Sequence, residues 1–255
     1  MRAYYTITEI TDYGPYITKL ILPVGTKVKA DAVKPECFNV YVERKDKQGN
    51  ILMLPKHFLD MDNKEPSKGY CKIRDAYPST LEGERREEAE FVTLETVYGP
   101  HDSLAAPIAP INGKNVYIVQ DIRITQIAEM AAESGKVSGL VFDRCAGNTV
   151  KQAEHFLHGI SSYEPEPLKY GYFVPQTGQG KRPLIIWLHG GGEGGDDPAI
   201  AYTGNKVVNL ASPAIQAKFG GAYVLVPQAP TFWLDDGSGQ YGRSGKSKYV
   251  TALKA

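Results

Sequence analysis

The stretch that most constrains this chain of 255 residues is an apolar run followed at once by a glycine-rich segment. The run is Leu184-Ile-Ile-Trp-Leu188, and the segment from His189 to Asp197 reads HGGGEGGDD. Five consecutive apolar residues are typical of a strand that is buried on both faces of a parallel sheet. Glycines at the carboxyl end of such a strand allow a sharp turn that leaves backbone N–H groups uncovered. Because ligands bind at this edge of α/β sheets, we expect a strand over 183–188 and a binding loop after it.

The residues around this stretch predict an α/β domain over residues 149–255. Further strands are expected at 156–160, 168–174 and 222–227, and helices at 198–202, 212–219 and 246–255. In the second helix, Ser212 is the expected N-cap and Pro213 the first helical residue, and Gly220 follows its end. Apolar strands that alternate with helices favour a mostly parallel sheet. With so few central strands in about 105 residues, this sheet is expected to be incomplete.

Residues 1–148 predict an all-β domain. Short apolar or alternating runs are separated by turn signals such as Asn112-Gly113, a pattern typical of an antiparallel sandwich of about seven strands. The runs are 4–10, 16–22, 38–42, 70–74, 91–97, 116–124 and 139–142. The Pro/Ala-rich segment from Leu104 to Pro110 is expected to be an irregular crossing, and residues 124–133 fit no single element.

Composition excludes several kinds of partner. Lys+Arg and Asp+Glu both number 29, so the net charge is zero, which argues against nucleic acid or an anionic membrane held by bulk charge. No apolar run approaches the ~18 residues of a membrane span. The amino terminus has no signal-peptide core, so we expect a cytoplasmic location, or secretion if a signal peptide has been removed. Three distant cysteines permit one disulfide but form neither a disulfide framework nor a metal site, and we expect no cofactor.

Two phosphate-binding interpretations of glycine-rich segments fail on their details. Gly190, Gly192 and Gly195 match the dinucleotide pattern G-x-G-x-x-G. The acids in the same loop would repel a pyrophosphate, however, and the acid expected about 20 residues later is missing. The segment 239–247 ends in Gly-Lys-Ser like a P-loop, but Gln240 stands where that motif requires glycine.

The third interpretation is an oxyanion hole, in which backbone N–H groups stabilise the negative charge that develops on a carbonyl oxygen. In α/β-hydrolases one of these groups comes from a His-Gly-Gly-Gly type of loop after an early strand. The sequence LHGGGEGGDD at 188–197 resembles the L-H-G-x-G-E-x-G-x-D loop of prolyl-oligopeptidase-like esterases. One aspartate already stands directly after Gly195, and Asp197 occupies the aspartate position of the motif.

Two further segments carry the same resemblance, namely KYGYFVP at 169–175 and VLVPQAP at 224–230 with Trp233 shortly after. This group includes feruloyl-esterase-like and polyhydroxybutyrate-depolymerase-like enzymes. A β domain before the hydrolase is similar to the EstA type of bacterial esterase, whose amino-terminal domain is immunoglobulin-like. The resemblance therefore implies an immunoglobulin-like sandwich over 1–148 and the amino-terminal part of an α/β-hydrolase over 149–255.

The resemblance also implies roles for residues of the loop. Gly191 is the first candidate for the oxyanion donor, followed by Gly190 and Gly192. His189 would shape the loop through hydrogen bonds and would not be the catalytic base. The residues implied to hold the loop by accepting backbone N–H groups are Glu193 and either Asp196 or Asp197. Trp233 would line the substrate cleft, with a packed core position as the other interpretation.

The nucleophile of such an enzyme is missing from the sequence. No segment fits the G-x-S-x-G nucleophile elbow, and Gly242-Arg-Ser244-Gly-Lys246 lacks its second glycine and its preceding strand. Ser238 and Ser244 are therefore expected to be loop serines. The acid and histidine follow the nucleophile in this fold, so the five histidines, His57 among them, are expected to have structural or solvent roles.

The sequence thus predicts part of a serine carboxylesterase with an acyl-enzyme mechanism. This chain would supply the oxyanion loop without the nucleophile and would be inactive alone. Its substrate would be a small-molecule or polymer-borne ester, and a second polypeptide could carry the rest of the domain. Two alternatives stay open: a non-catalytic module that binds a polymer or a partner protein, and a peptidase of the same superfamily.

Overall fold

The computed structural model describes residues 2–55, 62–176 and 180–254, and His57 lies outside them. The chain divides into two compact units. The first comprises Met1–Glu9, Pro15–Pro107 and Ile118–Val150, and the second comprises Ile10–Gly14, Ile108–Tyr117 and Lys151–Ala255. The boundary between residues 148 and 149 stays a prediction. The second unit also takes in two short segments from the amino-terminal half.

The described part of residues 1–150 is built of strands and short 3₁₀ turns. The strands are β1 (Arg2–Thr11), β2 (Gly14–Lys29), β3 (Phe38–Lys45), β4 (Met53–Pro55), β5 (Lys64–Pro66), β6 (Lys68–Cys71), β7 (Ile73–Ser79), β8 (Glu88–Thr96), β9 (Ile108–Ile111), β10 (Lys114–Tyr117), β11 (Val119–Gln126), β12 (Met130–Ala132), β13 (Gly135–Val137) and β14 (Val141–Thr149). Long strands alternate between buried and half-exposed residues, as the sequence pattern predicted.

Ten of these strands form one sheet around an apolar core. The order is β13-β12-β2-β1-β14-β11-β3-β6, with β8 paired to β2 and β7 paired to β8. The largest fully buried side chains of this core include Tyr4, Leu20, Ile124 and Phe142. The expected all-antiparallel arrangement is wrong at one place, because β1 pairs with β14 in parallel. Hydrogen bonds of 2.8 Å from the hydroxyls of Thr6 and Thr8 to the Asn148 side chain stabilise this pair.

Strands β9 and β10 form an antiparallel hairpin of their own. The turn is Asn112-Gly113, where φ is +51° and +76°, as a tight hairpin of this kind requires. The irregular crossing expected over Leu104 to Pro110 is therefore wrong from Ile108 onwards. The single strand expected over 116–124 is two strands in different sheets, since the chain leaves the hairpin after Tyr117.

The second unit contains a four-stranded sheet flanked by short helices. Its strands and α-helices within residues 151–255 are β15 (Leu157–Ile160), β16 (Lys169–Phe173), β17 (Leu184–Ile186), α1 (Pro198–Thr203), α2 (Pro213–Phe219), β18 (Tyr223–Gln228) and α3 (Val250–Lys254). Ser212 precedes α2 and Gly220 ends it with φ +63°, as predicted. Helix α3 begins later than the expected residue 246, because the Lys248 backbone N–H donates to the carbonyl of Asp235 instead of to a helical turn.

The strand order in this sheet is β15-β16-β18-β17. Strands β17 and β18 are parallel, whereas β16 is antiparallel to both of its neighbours. The expectation of a mostly parallel sheet is therefore wrong for the described strands. The tight return over 161–168, which contains Glu164-Pro-Glu-Pro167, makes β15 and β16 a hairpin and so accounts for the antiparallel pairing of these two strands.

Strand β17 is shorter and more exposed than its apolar sequence predicted. It covers three residues at the edge of the sheet and pairs on one side, with β18. Leu184 is 54% exposed, Ile186 47% and Leu188 47%. Burial on both faces was expected, but no described strand pairs with the outer edge of β17, and these apolar side chains stay about half exposed.

Among the described residues, no helix is both long and apolar enough to cross a membrane. The three cysteines are free thiols. Cys37 and Cys71 are buried, and Cys145 is exposed.

Candidate active site

The glycine loop begins where β17 ends, and its centre is a single 3₁₀ turn over Gly191–Glu193. The Glu193 N–H closes this turn by donating to the carbonyl of Gly190 at 3.1 Å. Among the described residues, the backbone N–H groups of Gly191 and Gly192 find no acceptor. Two neighbouring N–H groups at the start of a turn are thus available to a ligand oxygen.

His189 is buried and joins the loop to the end of β18. Its Nε2 accepts the N–H of Ala229 at 3.0 Å, and its Nδ1 donates to the carbonyl of Gly190 at 2.7 Å. Both bonds form together only in the neutral tautomer that carries its proton on Nδ1. Burial lowers the pKa of His189, although the bond to Gly190 acts in the opposite direction. A ring with both nitrogens engaged by the backbone has no nitrogen left to take a proton from a nucleophile.

Glu193 is also buried and closes the loop from the other side. Its Oε2 accepts the Gly190 N–H at 2.9 Å, and its Oε1 accepts from the side chain of Asn205 at 3.0 Å. Burial raises the pKa of Glu193, and the bond from Gly190 partly offsets this rise. The Gly190 N–H is therefore occupied, which leaves Gly191 and Gly192 as the loop's free donors among the described residues.

The end of β18 supplies further bonds that the sequence did not reveal. The Gln228 side chain donates to the Glu193 carbonyl at 2.9 Å, and the Gly195 N–H donates to the Ala229 carbonyl at 3.0 Å. A Cβ on Gly194 would overlap with the carbonyl oxygen of Thr231, so only glycine fits at this position. Because these partners lie more than 30 residues away along the chain, no local pattern could have identified them.

The two aspartates of the loop differ in their contacts. Asp197 is the N-cap of α1, and its carboxylate accepts the Ala199 N–H at 3.0 Å. The Asp196 side chain is 92% exposed, with Lys169 Nζ 3.9 Å from its carboxylate. Of the two acids implied by the resemblance, Asp197 is the one that accepts a backbone N–H.

Trp233 lies beside the loop, in a small apolar cluster. It packs with four buried residues, Leu168, Ala229, Tyr249 and Ala252, and its ring centroid lies 5.2 Å from that of His189. The residue that faces the turn is its neighbour Phe232, since a Cβ built on Gly191 would lie 3.6 Å from the Phe232 ring. A role for Trp233 in the substrate cleft stays a prediction.

Among the described residues of this unit, no serine is hydrogen-bonded to a histidine. The Ser244 hydroxyl donates to Asp236 at 3.2 Å, and the Ser238 hydroxyl accepts the Gln240 N–H at 3.3 Å. His158 Nε2 bonds the Tyr202 hydroxyl at 2.9 Å, and the exposed His155 lies 3.4 Å from Glu154.

Comparisons with known proteins agree on an esterase relationship. A family model described as the esterase Ig-like N-terminal domain matches residues 3–139, more than half of the chain, so the immunoglobulin-like part of the predicted fold is confirmed. A solved structure titled "Crystal Structure of a Thermostable Esterase" aligns with a TM-score of 0.68 at 20% identity. The alignment covers 91% of this chain and 58% of that chain, so this chain spans a little over half of the esterase's length. A search of curated proteins found no match.

Proposed function

Because this chain belongs to the family of the esterase Ig-like N-terminal domain, we propose that it is part of a serine carboxylesterase in which residues 149–255 form the first part of an α/β-hydrolase domain. The parallel pair β17–β18, the glycine loop at the carboxyl end of β17 and the likeness to the thermostable esterase support this proposal. The loop has the position that an oxyanion loop takes in such a domain.

The observation that carries the proposal is the pair of uncommitted N–H groups at Gly191 and Gly192. When a nucleophile adds to an ester carbonyl, the oxygen becomes negative, and donors fixed in advance stabilise it without reorganisation. His189 and Glu193 fix this loop by bonding the carbonyl and the N–H of Gly190, the residue before the two donors. The chain thus provides charge stabilisation, and it needs a serine and a base from elsewhere to form and break the acyl-enzyme.

We further propose that the polypeptide carrying the nucleophile covers the exposed edge of β17. Leu184 and Ile186 present apolar surface there, beside strand groups that no described strand pairs with. Full burial of an exposed leucine or isoleucine side chain contributes roughly 1.5–3 kcal/mol, and Leu184 and Ile186, which are 54% and 47% exposed, would contribute part of this. An edge strand with such side chains is a template for pairing with a further strand.

The oxyanion role is tested by replacing Gly191 in a polypeptide that contains this chain together with the nucleophile. Gly190 has φ −77° and ψ 172°, a conformation that suits the residue before a proline, and position 191 is the first of its turn. The Gly191→Pro variant therefore removes the N–H with little disturbance of the backbone. We expect kcat for a p-nitrophenyl ester to fall by about 10²- to 10³-fold.

Gly191→Ala is the matched control, because it keeps the N–H and has room beside Phe232. We expect its kcat to stay close to that of the parent. Equal activity of the proline and alanine variants would contradict the assignment of Gly191 as the donor.

A further inference from the structure

The hairpin of β9 and β10 reaches the glycine loop from a distant part of the sequence. It lies within the residues matched by the immunoglobulin-like family, yet it belongs to the second compact unit. The Lys114 Nζ donates to the Pro230 carbonyl at 2.6 Å, and the Tyr117 hydroxyl lies 3.0 Å from the hydroxyl of Thr203 in α1. These bonds fix β10 beside the 3₁₀ turn of the loop.

Asn115 is the hairpin residue that faces the turn. Side chains two residues apart share one face of a strand, so Asn115 lies on the same face as Tyr117, which contacts α1. A Cβ built on Gly192 would lie 3.5 Å from the Asn115 Nδ2 and 4.0 Å from its Cγ. The carboxamide therefore lies on the side of Gly192 from which a side chain would project, and among the described residues it has no hydrogen-bond partner.

We infer that Asn115 donates a hydrogen bond from Nδ2 to the same ligand oxygen that the N–H groups of Gly191 and Gly192 bind. This inference rests on the proposed function. A side-chain amide serves as an oxyanion donor in the same way as a backbone N–H, because both direct a fixed N–H dipole at the negative oxygen. Phe232 lies against Gly191 and gives the site an apolar wall beside the acyl chain. The site is thus a polar pocket for one oxygen next to an aromatic surface.

The test uses the 255-residue chain labelled with ¹⁵N and titrated with butyrate, whose carboxylate oxygen stands in for the oxyanion and whose short chain resembles an acyl group. We expect the backbone amide signals of Gly191 and Gly192 and the side-chain NH₂ signal of Asn115 to shift with one common Kd. Asn115→Ala removes one neutral hydrogen bond and should raise this Kd about two- to tenfold. Asn115→Asp keeps the shape but repels the anion, so it should raise the Kd further.

Asn112→Gly is the control in the same hairpin, because glycine also adopts the left-handed turn conformation at residue 112. It should leave the butyrate Kd unchanged. If Asn115 had a purely structural role, the butyrate Kd of the alanine and aspartate variants would not differ because of the charge. If Gly191 and Gly192 shift while the Asn115 side chain does not, and Asn115→Ala keeps the Kd, the inference is overturned and the proposed function stands. If the two glycine amides do not shift, the proposed function itself is contradicted.

Discussion

At the scale of single residues, His189 holds the candidate site through a neutral imidazole. Its Nε2 must be free of a proton to accept the Ala229 N–H, and its Nδ1–H must donate to Gly190. Protonation of Nε2 would therefore break the bond to the end of β18. Burial lowers the pKa of His189 and so favours the same neutral form, although the bond to Gly190 acts in the opposite direction.

We predict that His189→Gln lowers the free energy of unfolding by roughly 1–3 kcal/mol at pH 8, because a buried hydrogen bond is lost. The folded pKa lies below the ordinary value of about 6.5, so the stabilisation is complete above pH 6.5 and declines as the pH falls through the folded pKa. Urea unfolding of parent and variant from pH 8 to pH 5 should show their difference shrinking at the acidic end. Parent and variant share the other titrating groups, such as Glu193, so subtracting their free energies of unfolding cancels the contribution of these groups.

His155→Gln is the control for this prediction, since His155 is exposed and contacts Glu154 at the surface. Its unfolding free energy should match that of the parent at every pH. A difference between parent and His189→Gln that does not vary with pH would contradict the neutral-imidazole account.

At the scale of elements, Asp235 organises the segment between β18 and α3. Its buried carboxylate accepts the Thr231 hydroxyl at 2.6 Å and the N–H groups of Gly237 and Gly239 at 2.9 and 2.8 Å. Lys248 lies 3.6 Å away. These contacts, the bond from Thr231 first, lower the pKa of Asp235 to about 2. The irregular segment that carries Phe232 is thus stabilised by hydrogen bonds to one carboxylate.

We predict that Asp235→Asn lowers the free energy of unfolding at pH 7 by roughly 1.5–3 kcal/mol, the contribution of a hydrogen bond to a charged group. Because the pKa of Asp235 is lower in the folded than in the unfolded protein, its carboxylate stabilises the fold above pH 3.8. This contribution is lost as the pH falls through about 2. The difference between parent and variant in urea midpoints should therefore shrink between pH 4 and pH 2.

Asp236→Asn is its control, because that neighbouring carboxylate is exposed and accepts a single bond from Ser244. Its midpoint should stay near that of the parent at pH 7. If both variants lose the same stability, Asp235 does not anchor the segment.

Individual helices and hairpins also show which features the sequence could predict. Helix α2 followed from Ser212, Pro213 and Gly220, because caps and glycine ends are local signals. The hairpin of β9 and β10 was half recognised, through its Asn112-Gly113 turn, but its position in the second unit depends on partners such as Pro230 that are far away in the chain. Local patterns predict elements well, and they do not report which elements meet.

At the scale of the whole molecule, the prediction that failed most clearly is the burial of β17. Its apolar sequence predicted burial on both faces, whereas Leu184 and Ile186 are about half exposed and the described strands pair with β17 along one edge. The esterase structure that resembles this chain is aligned over 58% of its own length. Cover for these side chains is what we propose that the polypeptide carrying the nucleophile provides.

The residues of the candidate site also fall into those that the sequence predicted and those that it did not. The motif at 188–197 named the loop, and the roles it implied for His189 and Glu193 are compatible with the hydrogen bonds of both side chains. Phe232, Gln228 and Asn115 were not predicted, because each reaches the loop through tertiary packing. Their residue types carry no signal of their own in the sequence.

The central claim is that residues 1–255 hold an oxyanion loop without a nucleophile, and the reaction of the purified chain with a fluorophosphonate tests it most directly. Such a probe labels a serine only when a base activates it, and Ser238 and Ser244 have loop contacts instead. We predict no labelling of the 255-residue chain and no hydrolysis of a p-nitrophenyl ester above that of a heat-unfolded sample. Stoichiometric labelling of one serine, together with rapid hydrolysis that Gly191→Pro abolishes, would contradict the account.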